Sequence, residues 1–162
     1  MYRRILVAVD GSKASQLALR HGIQLAKEQQ ARLRIVHVVD ELALNVETPR
    51  ELKDFWNAIR KGGERVLEKA RAHTAKAGIE PETKLLEIRA MGGLVRLIAD
   101  FVVKEAERWH ADLIVIGTHG RRALRRLLLG SVAEGVIRIS AIPVLLVRGA
   151  GRKPRPDRSR SA

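Results

Sequence analysis

Apolar residues along the chain form two kinds of pattern. Short, nearly continuous runs of apolar and mostly β-branched residues are typical of parallel strands that are covered on both faces, and such runs occur five times. The third run is the most polar, which predicts an edge strand. The five predicted strands are residues 5–9, 33–39, 84–88, 113–116 and 144–147.

Between these runs, apolar residues recur every three or four positions, which predicts amphipathic helices with one buried stripe. The predicted helices are residues 13–30, 50–77, 94–109 and 131–140. Ser12 and Ser131 stand where N-caps belong, and Gly78 stands where a helix ends. Alternation of strands and helices predicts an α/β domain with a mostly parallel sheet. The length of 162 residues fits one such domain.

Composition limits the cellular location and the partners that are expected for this domain. The absence of cysteine excludes disulfides and zinc–thiolate sites, and no apolar run is long enough for a signal peptide or a membrane span. A cytoplasmic protein without a membrane partner is therefore expected. The formal net charge is +13, which favours polyanionic partners of any kind. Residues 149–162 are rich in arginine, glycine, proline and serine, which predicts a basic disordered tail after a domain of residues 1–148.

The most informative motif follows the fourth predicted strand. It reads Gly117-x2-Gly120-x9-Gly130-Ser131 and leads directly into the fourth predicted helix. Glycine allows close approach of the backbone to a ligand, and the first amides of a helix are unpaired donors at the positive end of its dipole. The motif therefore predicts a phosphate site. Neither a P-loop nor a Gly-x-Gly-x-x-Gly after the first strand is present, so those two nucleotide-binding classes are disfavoured.

Several polar residues near this motif have two interpretations. Asp10 ends the first strand and either contacts a ribose, an adenine or a metal, or is a turn residue that helps Ser12 to cap the helix. His119 lies inside the glycine loop, where it either donates to a nucleotide or is a turn residue. The loop arginines either form a solvated basic face of a short helix, or one or two of them reach phosphates while the others face solvent. These arginines are Arg121, Arg122, Arg125 and Arg126.

The sequence contains no recognisable combination of catalytic residues. The five histidines are scattered, His37 lies inside a strand as a core histidine would, and His73 and His110 are predicted at the surface. No paired carboxylates occur in an acid–base arrangement, and a metal site is left unassigned. The chain is therefore predicted to be at most a weak ATPase, and whether it is an enzyme stays open.

The chain resembles the universal stress protein family over residues 1–148. The resemblance is carried by Ile-Leu-Val-Ala-Val-Asp-Gly-Ser at 5–12, by His-Val-Val-Asp at 37–40, by residues 116–134 and by Pro-Val-Leu-Leu-Val at 143–147. The complete glycine motif is that of the ATP-binding subgroup. Departures are Ile116, where some members have methionine, and Ala8, where some have proline.

The resemblance implies an open five-stranded parallel sheet in the order 3-2-1-4-5 with helices on both faces. It implies an ATP-binding regulator or sensor of the stress response, with Mg or Mn beside the nucleotide. Asp10 and Val38 would contact adenosine. The ribose and phosphates would be surrounded by Gly117, His119, Gly120, Gly130 and Ser131, and Val132 completes this cofactor-binding set. A homodimer through Val144–Val147 would be usual for the family.

Two other functions stay open at this point. The domain could be an interaction module in which the nucleotide only stabilises the fold. It could also associate with nucleic acid through its arginine-rich tail, although an aromatic content of 3% offers no platform for stacking of bases and disfavours this alternative.

Overall fold

The computed structural model describes residues 1–40, 49–88, 98–118 and 129–148. Within these ranges, strands and helices alternate as the apolar pattern predicts. The strands are β1 (Arg4–Ala8), β2 (Arg32–Asp40), β3 (Glu82–Ile88), β4 (Leu113–Gly117) and β5 (Val144–Val147). The helices are α1 (Lys13–Gln29), α2 (Pro49–Lys76), α3 (Ile98–Arg108) and α4 (Ser131–Ile139). Observed ends lie within two residues of the predicted ones, except that residues 94–97 of the third predicted helix lie outside the described part.

The five strands form one parallel sheet in the order β3-β2-β1-β4-β5. This confirms the α/β fold and the strand order that the family resemblance implied. The polar third strand lies at one edge, as predicted, and β5 lies at the other. At the centre of the sheet, Val7 of β1 is in register with Ile35 of β2 and with Val115 of β4.

The two faces of the sheet bury separate clusters of apolar side chains. Successive side chains of a strand point to opposite faces, so Ile5 and Val7 pack under α1 and α2 while Leu6 packs under α3 and α4. Because both faces are covered, the central strands need apolar residues at every position. This is why they appear in the sequence as continuous runs and not as alternating ones.

A buried ionic network joins β2, β3 and α3 near the β3 edge. Glu105 of α3 is only 1% exposed, and it accepts bonds from Arg34 Nη1 at 2.6 Å and Lys84 Nζ at 2.7 Å. Arg34 also pairs with Glu82 and lies over the ring of Trp109, 4.8 Å from its centroid. The guanidinium of Arg34 and the ammonium of Lys84 therefore compensate the charge of a carboxylate that burial would otherwise penalise.

Glu82 belongs to the same network, and its carboxylate is paired with Arg32 and Arg34. Burial raises the pKa of Glu82, but the hydrogen bonds from Arg34 and Arg32 outweigh burial and hold this pKa below its ordinary value of 4.5. A lowered folded-state pKa stabilises the fold above the unfolded-state value, and this contribution is lost as the pH falls through the folded-state pKa.

Two adjacent glycines in the middle of α2 lie in opposite environments. A Cβ on Gly62 would meet nothing within 4 Å, whereas a Cβ on Gly63 would lie 2.7 Å from both Leu85 Cδ1 and Val39 Cγ1. Gly63 therefore lets α2 pack closely on β2 and β3, while no packing contact accounts for Gly62.

The variants Gly62→Ala and Gly63→Ala are expected to change stability in opposite directions. Alanine at 62 should raise the free energy of unfolding by roughly 0.5–1 kcal/mol, because alanine loses less backbone entropy in a helix. Alanine at 63 should lower it by roughly 1–3 kcal/mol through overpacking. Urea denaturation of both variants checks this pair, and a stabilised Gly63→Ala would contradict the packing argument.

Candidate functional site

The order of the strands creates a switch point between β1 and β4. The chain leaves β1 through α1 towards β2, and it leaves β4 through α4 towards β5, so the two connections diverge from neighbouring strands. Ala8 is in register with Ile116, which places Asp10 and Gly117 together at the carboxyl ends of β1 and β4. In open α/β sheets, ligands bind in the crevice beyond the carboxyl ends of the strands at such a point.

The junction between β1 and α1 is an ordered turn. Asp10 Oδ1 accepts a hydrogen bond from the amide of Ser12 at 2.9 Å, and Ser12 Oγ accepts one from the amide of Ser15 at 3.2 Å. Gly11 between them has φ +80°, a conformation that a side chain would strain. Ser12 is the N-cap of α1, as predicted, and Asp10 has the turn-forming role that was one of its two interpretations. Contact of Asp10 with a nucleotide stays a prediction.

His37 ties the end of β2 to the end of β1. Its Nδ1 lies 2.7 Å from the carbonyl oxygen of Val9, and the side chain is 9% exposed. This confirms a satisfied core histidine. The next residue, Val38, is half-buried and packs with Ala8 on the face that α3 and α4 cover. Val9 precedes Asp10 and His37 precedes Val38 in the chain. The bond between Val9 and His37 therefore fixes the backbone next to both predicted adenosine contacts.

Gly117 has a structural reason to be glycine. A Cβ at this position would lie 2.7 Å from the carbonyl carbon of Ala14 and 2.9 Å from the amide nitrogen of Ser15. The backbone of α1 therefore packs directly on the end of β4, and a larger residue would force the two elements apart. Contact of Gly117 with a ligand is a separate matter and stays a prediction.

The start of α4 corrects one prediction. Ser131 was expected to be the N-cap, but it is already the first helical residue, because the carbonyl of Gly130 accepts the first helical bond from Glu134 at 2.9 Å. Gly130 is extended, with φ −66° and ψ 146°, and as N-cap it makes no side-chain hydrogen bond to the helix. The N-cap itself thus supplies no oxygen to the first amides of α4, and no other described residue does so, which is the arrangement that suits an anion.

Thr118 connects the parts of this edge, and sequence reasoning did not single it out. Its amide donates to the carbonyl of Val147 in β5 at 2.9 Å, and its carbonyl accepts from the amide of Gly130 at 2.8 Å. The only sequence signal for this role is the position of Thr118 inside the glycine motif. Through Thr118, the N-terminus of α4 is held against the end of β4.

Six of the eight predicted binding residues are described, and the topology gathers them at one edge of the sheet. They are Asp10, Val38, Gly117, Gly130, Ser131 and Val132. The other two lie outside the described residues, as do the four loop arginines and the tail. These are His119, Gly120, Arg121, Arg122, Arg125, Arg126 and residues 149–162.

Within residues 1–40, 49–88, 98–118 and 129–148, no group of three or more histidine, aspartate or glutamate side chains is arranged to hold a metal ion. No helix in the same ranges is long and apolar enough to cross a membrane.

Known proteins are similar to this chain in both sequence and fold. The model of the universal stress protein family matches residues 1–148. The chain belongs to the universal stress protein family. The universal stress protein YxiE of Bacillus subtilis is 36% identical over 156 residues, which cover 91% of this chain and all of that protein. A solved structure of a family member from Burkholderia pseudomallei is 34% identical with a TM-score of 0.69, covering 92% of this chain and 97% of that one.

Other solved universal stress proteins contain adenine nucleotides. One, in complex with cAMP, is 26% identical to this chain with a TM-score of 0.66, covering 92% of this chain and 99% of that one. Another, from Archaeoglobus fulgidus in complex with dAMP, is 25% identical with a TM-score of 0.61, covering 90% and 98%. Adenine nucleotides are therefore bound within the family on this fold.

Proposed function

We propose that this universal stress protein binds ATP at the switch point between β1 and β4 and acts as a nucleotide-dependent regulator or sensor in the cytoplasm. The observation that carries the proposal is the N-terminus of α4. Gly130 caps this helix without a side-chain bond. Thr118 holds the N-terminus of the helix at the carboxyl ends of the strands, where Asp10 also lies. The cAMP and dAMP complexes of related proteins support an adenine nucleotide as the ligand.

The residues at this edge suit the parts of a nucleotide. The first amides of α4 and the positive end of its dipole would hold phosphate. The carboxylate of Asp10 suits a ribose hydroxyl, and the backbone of Val38 at the end of β2 suits the adenine edge. In the proposal, Gly117, Ser131 and Val132 line the same crevice. His119 and Gly120 complete it from the glycine motif.

A divalent cation, Mg or Mn, would accompany a triphosphate. Asp10 supplies a carboxylate at the switch point, and a magnesium ion commonly keeps waters and takes one or two carboxylates together with the phosphates. The donors present therefore fit a nucleotide-borne cation better than a resident metal site. The cation would neutralise charge on the phosphates.

Slow or absent hydrolysis follows from the same residues. Among the described residues of the crevice, Asp10 is engaged with the amide of Ser12 and the ring of His37 is engaged with the carbonyl of Val9. Neither is placed as a dedicated general base, so the proposal assigns ATP the role of a bound signal.

Asp10 is expected to contribute to ATP affinity beyond its role in the turn. Removing a charged hydrogen bond in Asp10→Ala should weaken ATP binding by roughly 1.5–3 kcal/mol, with a smaller effect on inorganic triphosphate. Asp10→Asn is the matched control, because it retains an acceptor for the amide of Ser12 but lacks the charge. Calorimetric titration measures both variants, and an Asp10→Ala protein with the ATP affinity of the wild type would leave Asp10 as a turn residue only.

The β5 edge supports a homodimer as part of the proposal. β5 carries the uncharged residues Val-Leu-Leu-Val, of which the first three are only half-buried, whereas the β3 edge carries Glu82, Lys84 and Glu87. Ile137 of α4 is 44% exposed and lies on the opposite side of α4 from Gly135, which contacts α3. An uncharged edge strand beside an exposed apolar side chain favours pairing with a second copy, and charges on the other edge oppose it.

Leu145→Lys is expected to shift the protein from dimer to monomer, because it places a charge at the proposed antiparallel β5 pair. Thr83→Lys on the exposed β3 edge is the control and should leave the assembly unchanged. Sedimentation velocity at tens of micromolar protein distinguishes these outcomes. A wild-type monomer, or a Leu145→Lys dimer, would refute the β5 interface.

A further inference from the structure

The two helical layers of the domain carry very different charge. α1 and α2 together contain eleven lysine and arginine side chains against five carboxylates, whereas α3 and α4 contain three against four. α1 and α2 cover one face of the sheet, and α3 and α4 cover the other. The positive charge of the described helices is therefore concentrated on one side of the molecule.

Within α2, three cations form a row that is defined here as the basic stripe: Lys61, Arg65 and Lys69. Each is exposed, and their spacing of four residues places them on successive turns of one helical side, about 6 Å apart. Among the described residues, none of the three forms a salt bridge. Of the two acidic neighbours, Glu64 pairs with Arg60, and Glu68 forms no salt bridge with the stripe among the described residues.

α1 carries a second row of exposed cations. Lys13, Arg20 and Lys27 follow one another at seven-residue intervals, which places them on one side of the helix. The single carboxylate of α1, Glu28, is bonded to Gln24 at 2.9 Å. Because α1 and α2 are neighbours in one layer, both rows belong to the same charged face.

Apolar anchors are missing from this face. The large hydrophobic side chains that are exposed in the described residues are Met1, Leu129, Ile137 and Ile139, none of which belongs to α1 or α2. Protein partners are bound through a fully buried apolar centre, so a face of exposed cations without one suits a protein poorly. It suits a regular polyanion, whose charges need only to be neutralised.

We propose that the α1/α2 face binds the sugar–phosphate backbone of duplex nucleic acid without regard to sequence, with the basic stripe as its centre. The basic stripe spans about 12 Å along α2, which is the scale of a few neighbouring phosphates, and binding would release the counterions condensed on them. Binding through phosphates alone carries no sequence information. The basic stripe is separate from the described residues of the nucleotide crevice.

The test compares two triple variants of the full chain that remove the same charge from opposite faces. Lys61→Gln, Arg65→Gln and Lys69→Gln together remove the basic stripe. The control combines Lys104→Gln, Arg108→Gln and Arg138→Gln, which are exposed on α3 and α4. Glutamine keeps helix propensity nearly unchanged, and circular dichroism checks that each protein folds. Arg65→Gln and Arg108→Gln repeat the comparison with one charge each.

Fluorescence anisotropy measures binding to mixed-sequence DNA and RNA duplexes of about 20 base pairs over a range of salt concentrations. The stripe variant should bind at least about tenfold more weakly at low salt, with a salt slope shallower by about 2–3, while the control stays close to wild type. The relative affinities for DNA and RNA identify which duplex the face prefers.

Three results would overturn the proposal. The first is a wild type that binds neither duplex at low salt. The second is an equal loss in both triple variants, which would indicate attraction by net charge alone. The third is binding that disappears on deletion of residues 149–162 but is unchanged in the stripe variant, which would assign the interaction to the tail.

Discussion

Replacing Gly130 by valine is expected to abolish ATP binding while the domain stays folded. Gly130 is extended at φ −66° and ψ 146°, a conformation that any residue adopts, so the backbone angles do not require glycine there. A ligand at the N-terminus of α4 needs it, because a branched side chain would cover the first amides of the helix. Calorimetric titration with ATP and Mg should show no binding. Circular dichroism without nucleotide should show a folded domain with a modestly lower melting temperature, because valine is a poorer N-cap than glycine.

Gly130→Asp separates folding from binding more sharply. An aspartate N-cap accepts hydrogen bonds from the first amides and should stabilise α4 by a few tenths of a kcal/mol relative to glycine. The same carboxylate would occupy the phosphate position and repel the ligand. Higher stability with loss of ATP binding is therefore the expected result. If Gly130→Asp bound ATP as the wild type does, the phosphates would not lie at α4.

Neutralising Glu105 is expected to cause the largest loss of stability outside the apolar core. In Glu105→Gln, Lys84 loses the carboxylate that compensates it, and Arg34, which is only 18% exposed, keeps Glu82 as its one carboxylate partner among the described residues. Breaking a buried pair on one side costs about 3–5 kcal/mol, and the half-exposed Lys84 places this site near the lower limit. Urea denaturation should therefore show a loss of about 3 kcal/mol.

Glu107→Gln provides the matched control for this variant. Glu107 lies two residues further along the same helix and is exposed, so its neutralisation should change the free energy of unfolding by less than about 0.5 kcal/mol. Equal effects at 105 and 107 would show that the network contributes nothing beyond the net charge of α3.

The sequence alone determined the elements and their order. Runs such as 113–116 are apolar at every position because both faces of the sheet are covered, and this requirement is local enough to be read from single segments. Ser12 was recognised as an N-cap because the cap depends on residues within one turn. The strand order came from the family resemblance, since periodicity does not state which strands are neighbours.

Only the tertiary structure decided what the individual residues of the site contact. Position 117 needs glycine because the backbone of Ala14, about a hundred residues earlier in the chain, packs against it. The partner of His37 is the carbonyl of Val9, which follows another strand. Gly130 and not Ser131 is the cap of α4, and its amide is bonded to the carbonyl of Thr118 at the end of β4. Each of these contacts joins segments that pattern analysis treats separately.

The same limit applies to charge. The sequence shows a net charge of +13, but not that the helices on one face of the sheet hold most of the excess in the described part of the chain. Which face a helix covers depends on the direction of its crossover, which is a property of the folded chain. Local patterns thus determine secondary structure, because its forces act within a few residues. Sites and surfaces are decided by contacts between distant segments, which only folding brings together.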